Sequence, residues 1–250
     1  MSKLYNTWLG YFLFGICVFS SSLNAKETIH VAVASNFKTV LQTLLQDSPI
    51  PGIQVKISAA SSGVLYSQIV HGAPFDVFLS ADDVRPQALI KEGFASQSSI
   101  ITYALGELAV WQPNANKVNN KVAIANPRFS PYGQASEFYA NANFKKPINY
   151  VYGNNITQAF QFVQSGNASV GVVAVSTLKM AFNNSQDPQY LSYRLIPPSE
   201  YPEIIQQGVI INSSKKLASA QKLMDFLMTS STQLKLVELG YRTKDSNASK

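Results

Sequence analysis

Short apolar runs alternate with amphipathic segments along most of this chain, and this alternation limits the fold more than any other feature. Residues 29–34 form an apolar run of strand length, and 37–45 then repeat apolar side chains at the spacing of a helix. The same order of strand and helix continues to about residue 182. It predicts an α/β fold with largely parallel sheets flanked by helices, because parallel strands are joined by helical crossovers.

A Pro-rich stretch interrupts the alternation in the last quarter of the chain. It covers 195–202, with Pro197, Pro198 and Pro202. After it, the apolar pattern predicts a strand over 208–212 and two final helices over 217–228 and 232–239.

The first 25 residues have the pattern of a secretory signal. Lys3 precedes an apolar run over 8–19, and small or polar residues then lead to Ala25, a plausible cleavage point. A retained membrane anchor is the alternative, although the run is shorter than the roughly 20 residues that span a bilayer. Lipid attachment at Cys17 is a further alternative, disfavoured because Ile16 is bulky where such signals carry a small residue.

Composition excludes several classes of chemistry. Cys17 is the only cysteine of the 250 residues, so a processed chain has no disulfide, no thiolate nucleophile and no cysteine metal ligand. The net charge is +6, but the basic residues are scattered and no run of four Lys or Arg occurs. We therefore expect a solvated basic surface and no nucleic-acid partner.

Polar and glycine residues follow most of the predicted strands. These positions are Ser35-Asn36, Ser61-Ser62-Gly63, Ser80-Ala81-Asp82, 126–133, 153–155 and Ser176. Ligands of parallel α/β sheets bind at the carboxyl ends of strands, and the free N–H groups of a helix N-terminus favour an anion there. The alternative is that each of these residues is simply a good helix cap.

Five blocks of the sequence resemble the periplasmic molybdate-binding proteins of ABC transporters. They are VAVASNF, AASSGVLYSQIVHGAPFDVFLSADD, YALGELAVW, VAIANPRFSPYGQASEFY and GNNITQAFQFVQSGNASVGVVAVS. The resemblance covers about 28–241 in the family's order and spacing. It implies a two-lobed periplasmic binding protein fold of type II-like topology, with lobe 1 over 28–103 plus 206–243 and lobe 2 over 104–205.

The resemblance also implies a binding site for the oxyanion between the lobes. Its members in this sequence are Ser35, Asn36, Ser61, Ser62, Tyr132, Asn155 and Ile156, with Tyr132 and Ile156 acting through their main chain. No residue is a direct metal ligand. One branch of the family uses a tyrosine hydroxyl where this chain has Ala174, and Asn36 is the expected replacement.

The residue types suit a fully ionised oxyanion. Molybdate is a dianion at neutral pH, so its site needs donors only, and neutral donors suffice when hydrogen bonds or helix dipoles support them. The carboxylates closest in sequence are Asp82 and Asp83, which we interpret as a hinge-side hydrogen-bonding residue and a helix cap. Cavity size is expected to exclude sulfate and admit tungstate.

The resemblance implies no enzymatic activity and no cofactor. It implies a monomer in the periplasm that delivers molybdate to a membrane permease and an ATPase. A binding protein for sulfate or another tetrahedral oxyanion remains the alternative. A serine hydrolase is less favoured, since His30 and His71 are the only histidines and no G-x-S-x-G is present.

Overall fold

The computed structural model describes residues 26–113, 119–182 and 193–243, and these form two β-sheets, each flanked by helices. This is the predicted α/β architecture. The proposed signal segment, 1–25, lies outside the described residues.

The first sheet has six strands in the order β11-β4-β10-β3-β1-β2. Their bounds are β1 Glu27–Ala34, β2 Ile53–Ala60, β3 Val77–Leu79, β4 Ile101–Gly106, β10 Ile204–Ile210 and β11 Tyr241–Arg242. β1 pairs in parallel with β2 and β3, whereas β10 is antiparallel to both β3 and β4. We call this sheet with its helices lobe 1.

The second sheet has five strands in the order β7-β6-β8-β5-β9. Their bounds are β5 Leu108–Trp111, β6 Lys121–Ala125, β7 Asn149–Gly153, β8 Val170–Ala174 and β9 Tyr193–Leu195. β6 is parallel to β7 and β8, and β5 is antiparallel to β8 and β9. We call this sheet with its helices lobe 2. Each sheet is therefore parallel on one side and antiparallel on the other.

Eight α-helices cover the two sheets in the described parts of the chain. In lobe 1 they are α1 Lys38–Asp47, α2 Ser62–Val70, α3 Val84–Lys91, α7 Leu217–Met228 and α8 Ser230–Glu238. In lobe 2 they are α4 Pro131–Asn143, α5 Ile156–Gln164 and α6 Val175–Phe182. Two single 3₁₀ turns cover Gln97–Ser99 and Pro198–Glu200. None of the described helices combines the length and the apolarity that crossing a membrane requires.

Each lobe has its own hydrophobic core. In lobe 2, Trp111 stacks on Phe160 with ring centroids 5.0 Å apart, and Phe182 packs against both rings. In lobe 1, Val31 and Val33 of β1 face one cluster, whereas Ala32 faces another. A strand with apolar residues on both faces needs helices on both sides of the sheet, which is the arrangement observed.

The chain passes between the sheets in two places. It leaves the first sheet between Gly106 of β4 and Leu108 of β5, and it returns between β9 and Ile204 of β10. These two crossings are neighbours, because Ile204 pairs with Gly106. The paired ends of β4 and β10 therefore form a two-stranded hinge.

Three strands, β4, β9 and β11, were not predicted from the apolar pattern. The pattern also placed the strand of β10 over 208–212, whereas β10 begins at Ile204. The reason lies in Gln206 and Gln207, which break the apolar run. Gln206 is fully buried and hydrogen-bonded in the hinge, so its environment compensates for its polarity.

Asp76 joins three separate parts of lobe 1. Its carboxylate accepts the main-chain N–H of His30 at 2.7 Å and the hydroxyl of Ser214 at 2.7 Å, and the ammonium of Lys216 lies 3.5 Å away. Asp76 and Ser214 are buried, so water replaces the lost acceptor of the Ser214 hydroxyl poorly.

Replacing Asp76 by alanine is expected to lower the free energy of unfolding by about 2–4 kcal/mol, because a buried N–H and a buried hydroxyl lose their acceptor. Urea denaturation measures the change. Asp47→Ala, at the exposed end of α1, is the matched control and should change it by less than about 0.5 kcal/mol. Equal effects of the two substitutions would contradict this role of Asp76.

Candidate anion-binding site between the lobes

Turns from both lobes meet at the boundary between the sheets. The N–H of Gly63, in the first turn of α2, donates to the carbonyl of Phe129 in lobe 2 at 3.0 Å. The hydroxyl of Thr157, in the first turn of α5, donates to the carbonyl of Ser35 at 3.2 Å. These contacts bring the β1–α1 and β2–α2 turns of lobe 1 against the N-termini of α4 and α5 in lobe 2.

The two serines at the start of α2 differ in how their hydroxyls are used. Ser62 Oγ accepts the main-chain N–H of Ala81 at 2.9 Å, which leaves its own hydrogen free to donate. Ser61 is the N-cap residue, but its side chain forms no capping hydrogen bond. Its Oγ is buried and has no hydrogen-bond partner among the described residues. A buried hydroxyl of this kind indicates a missing partner.

The helix starts of lobe 2 present main-chain donors. Ser130 caps α4 by accepting from Gly133 N at 3.3 Å, and Asn155 caps α5 by accepting from Gln158 N at 3.0 Å. Both caps satisfy the third amide of their helix. The amides of earlier residues in the first turn have no intrahelical acceptor, and Tyr132 and Ile156 hold such positions.

The predicted site residues therefore divide into two groups. The side chain of Ser62 and the main chains of Tyr132 and Ile156 are arranged to donate, and all three residues are buried at the lobe boundary. Ser35 contributes its carbonyl to Thr157, and the Asn155 side chain is occupied as a cap.

Asn36 lies in a buried polar network at the hinge. Its Nδ2 donates to Gln206 Oε1 at 2.9 Å and to Tyr241 Oη at 3.1 Å, with Tyr132 Oη at 3.5 Å. Gln206 Nε2 donates to Tyr132 Oη at 3.1 Å. The single hydroxyl hydrogen of Tyr103 is shared between the carbonyl of Ser80 at 2.9 Å and Gln206 Oε1 at 3.2 Å.

This network engages both hydrogens of the Asn36 amide nitrogen, since a carboxamide has only two. The side chain can donate to an anion only if the network rearranges. Ala174, where one branch of the resembling family carries a tyrosine, is fully buried at the end of β8. The replacement of that tyrosine by Asn36 stays a prediction.

Tyr132 connects the lobes through its side chain. The residue belongs to α4 of lobe 2, but its hydroxyl lies among Asn36 and Gln206 of lobe 1. Gly106 leaves the room for it, because a Cβ at that position would lie 2.4 Å from Tyr132 Oη. The phenol of Tyr132 therefore lies in the hinge, beside Gly106.

The network tyrosines keep their protons at neutral pH. Burial raises the pKa of Tyr132 and of Tyr103 well above the ordinary value, and burial likewise raises the pKa of Tyr241. Each hydroxyl thus remains a neutral donor and acceptor, and these three phenols add no negative charge to the lobe boundary.

Asp82 and Arg85 form an ion pair at the start of α3. Asp82 Oδ1 accepts the main-chain N–H of Arg85 at 3.1 Å, whereas Asp83 occupies the N-cap position without a capping hydrogen bond. Asp83 is thus the N-cap residue by position, as predicted, but the side-chain hydrogen bond to the helix start comes from Asp82. Arg85 was not singled out in the sequence, and the three-residue spacing from Asp82 is the signal that could have indicated it.

Two cavities open at the lobe boundary. One, of about 610 Å³, is lined by residues of both lobes, including Gly63, Asp82, Arg85 and Arg128. The other, of about 190 Å³, is lined by Ser35 and Asn36 from lobe 1 and by residues of α5 and α6 from lobe 2. Small solutes therefore have space next to the meeting turns.

The geometry offers little support for hydrolysis or cation binding. His30 Nε2 pairs with Ser58 Oγ at 2.8 Å and His71 Nδ1 with the carbonyl of Ser67, so neither histidine is bonded to Ser61 or Ser62. Within the described ranges, no group of three His, Cys, Asp or Glu side chains could hold a metal ion.

Comparison with known proteins agrees with this geometry. The family model of the bacterial extracellular solute-binding proteins matches residues 29–242. The chain belongs to that family. It is 34% identical over 234 residues to the molybdate-binding protein ModA of Rhodobacter capsulatus, covering 88% of this chain and 90% of the relative.

Two further similarities come from Azotobacter vinelandii. A molybdate-binding protein ModA is 34% identical over 218 residues, covering 80% of this chain and 83% of the relative. The solved structure of a periplasmic molybdate-binding protein superposes with a TM-score of 0.77 at 31% identity, covering 86% of this chain and 99% of that one. These similarities confirm the predicted two-lobed fold and the predicted resemblance to the periplasmic molybdate-binding proteins.

Replacing Tyr132 by phenylalanine is expected to shift the ligand-free protein towards an open form. The substitution leaves the buried amide of Gln206 without its acceptor in the closed form, and opening relieves that cost. Small-angle X-ray scattering measures the result as a larger radius of gyration. Tyr139→Phe is the matched control, since this hydroxyl accepts from Arg194 within lobe 2. The same radius in both variants would contradict a closing role for Tyr132.

Proposed function

We propose that this chain is a periplasmic solute-binding protein that captures molybdate, and also tungstate, between its lobes. It then delivers the oxyanion to the membrane permease and ATPase of an ABC importer. The proposed ligand-binding residues are Ser35, Asn36, Ser61, Ser62, Tyr132, Asn155 and Ile156. The relatives at 34% identity carry the name of molybdate-binding proteins, which supports the choice of ligand.

The observation that carries the proposal is the hydroxyl of Ser61. It is buried at the junction where helix starts of both lobes meet, and no described residue hydrogen-bonds to it. Burying an unpaired hydroxyl costs free energy, so the site is better satisfied with an acceptor present. An oxyanion supplies acceptors on every side.

The other groups at this junction are donors as well. Ser62 offers a hydroxyl hydrogen, and the first-turn positions of Tyr132 and Ile156 offer amides with the helix dipole behind them. Charge-assisted hydrogen bonds contribute about 1.5–3 kcal/mol each. Several of them on one dianion support binding below micromolar concentration after ordering costs are subtracted.

Selectivity is expected from ion size and from the composition of the proposed site, whose seven residues include no carboxylate to accept a ligand proton strongly. A site of donors suits an ion without protons, whereas a protonated phosphate needs an acceptor for its hydrogen. Tungstate is nearly the same size as molybdate. Sulfate carries the same charge but is smaller, so fixed donors on opposite lobes cannot all reach it.

The proposal places the protein in the periplasm as a monomer without a cofactor. The extracellular family and the signal-like segment 1–25 support this location. The function needs no chemistry on the ligand, and the residues at the junction offer hydrogen bonds rather than a nucleophile with its base.

Isothermal titration with molybdate, tungstate, sulfate and phosphate tests the ligand. We expect tight binding of molybdate and tungstate, because both match the span between the donors of the two lobes. Sulfate and phosphate should bind at least about a hundredfold more weakly. Tight sulfate binding without a response to molybdate would replace the proposal by its alternative, a sulfate receptor.

Ser61→Ala and Ser62→Ala test the two hydroxyls separately. Each should weaken molybdate binding by about 1–3 kcal/mol, because a donor to a buried charge is lost. Only Ser61→Ala should leave the ligand-free stability unchanged or raise it, since it removes an unpaired hydroxyl. Titration calorimetry and urea denaturation measure the two effects.

Ser67→Ala provides the control for this pair. Ser67 lies on the same helix but is exposed, so molybdate affinity and stability should both stay near those of the unaltered protein. An unchanged affinity in Ser62→Ala would remove that residue from the site, and a destabilised Ser61→Ala would show that its hydroxyl has a partner within the protein.

A further inference from the structure

Asp82 places a nearly buried carboxylate beside the lobe boundary. One oxygen accepts the hydroxyl of Ser80 at 2.9 Å and the main-chain N–H of Arg85 at 3.1 Å. The other oxygen is paired with the guanidinium of Arg85. The carboxylate is held by these groups, so its position does not depend on the guanidinium alone.

The ion pair lies against the first turn of α2. Ala81, which precedes Asp82, donates its N–H to Ser62 Oγ at 2.9 Å. Arg85 Nη2 lies 3.0 Å from the position that a Cβ on Gly63 would occupy. The ion pair thus lies against the helix start at which the proposed site binds its anion.

A carboxylate in this position opposes the binding of a dianion unless its charge is compensated. Both side chains are shielded from water, with 16% of Arg85 and 12% of Asp82 exposed, so solvent screens the interaction only weakly. With an effective dielectric constant of about 20, a poorly screened unit charge within about 10 Å of a dianion changes the affinity for that dianion by more than tenfold.

We propose that Arg85 determines the charge selectivity of the cleft by masking Asp82, which lets neutral donors bind a fully ionised oxyanion. The proposal rests on the proposed function and deepens it. Arg85 acts through Asp82 and the first turn of α2, and the direct contacts to the anion remain those of the neutral donors.

Asp82 and Arg85 line the cavity of about 610 Å³ between the lobes, together with other charged side chains, one of which provides a control. They include Asp83, Glu203 and Arg128. Glu203 is paired with Arg242 at 3.3 Å. Arg128 lies over the ring of Phe129 at 5.3 Å and forms no ion pair with the part of the chain that the structure describes. Arg128→Gln therefore removes one positive charge from this cavity without uncovering a carboxylate.

Titration calorimetry with molybdate tests the proposal in the unaltered protein, Arg85→Gln, Asp82→Asn, the double variant and Arg128→Gln. Arg85→Gln should bind more than tenfold more weakly, and the loss should shrink as salt is raised. Asp82→Asn should bind as tightly as the unaltered protein or more tightly. The molybdate affinities of the double variant and of Arg128→Gln should stay within about threefold of the affinity of the unaltered protein.

The rescue by Asp82→Asn separates charge masking from a structural role. If Arg85 only supported the loop, the double variant would bind as weakly as Arg85→Gln and the loss would not respond to salt. Either result, or an unchanged affinity in Arg85→Gln, overturns the proposal. Thermal unfolding followed by circular dichroism checks that each variant is folded.

Sulfate separates this proposal from the function on which it rests. If the unaltered protein binds sulfate but not molybdate, the series is repeated with sulfate, and the same rescue supports charge masking while ending the molybdate assignment. If the unaltered protein binds neither molybdate, tungstate nor sulfate, the proposed function and the masking proposal are both overturned.

Discussion

Main-chain N–H groups at helix starts must find an acceptor, and this requirement governs the boundary between the lobes. The first turns of α2, α4 and α5 face one another there, so the amides of one helix cannot satisfy those of another. Caps such as Ser130 and Asn155 satisfy part of the requirement within each helix. In the proposed function, the bound oxyanion supplies the acceptor for the remaining donors and for the unpaired hydroxyl of Ser61.

In the hinge, a buried side chain rather than a main-chain group needs hydrogen-bond partners. Gln206 is fully buried on a strand that crosses between the lobes, and its amide is satisfied by Asn36, Tyr132 and Tyr103. Since Tyr132 comes from the opposite lobe, a movement of the lobes apart would break its hydrogen bonds to this network. The main chain of Tyr132 faces the proposed ligand while its phenol enters the hinge. Ligand binding and closure therefore share one residue.

The sequence predicted the alternation of strands and helices because apolar periodicity is a local property. The first half of β10 escaped prediction because Gln206 and Gln207 look unsuited to a buried strand. The partners that satisfy Gln206 lie up to 170 residues away in sequence, in Asn36, and local patterns carry no information about them. For the site, turn positions and the family resemblance together indicated Ser61 and Ser62. The ion pair of Arg85 with Asp82 became significant only when the fold placed it against Gly63.

The contact between Gly63 and Phe129 joins the lobes through main-chain atoms alone. Substitutions at Phe129 can alter the rim of the cleft without removing the carbonyl that accepts this hydrogen bond. Gly63 has no such freedom, because a Cβ there would come within 3.0 Å of that carbonyl oxygen. The rim of the cleft on the Phe129 side can thus change in shape while this main-chain bridge persists, as long as position 63 carries no side chain.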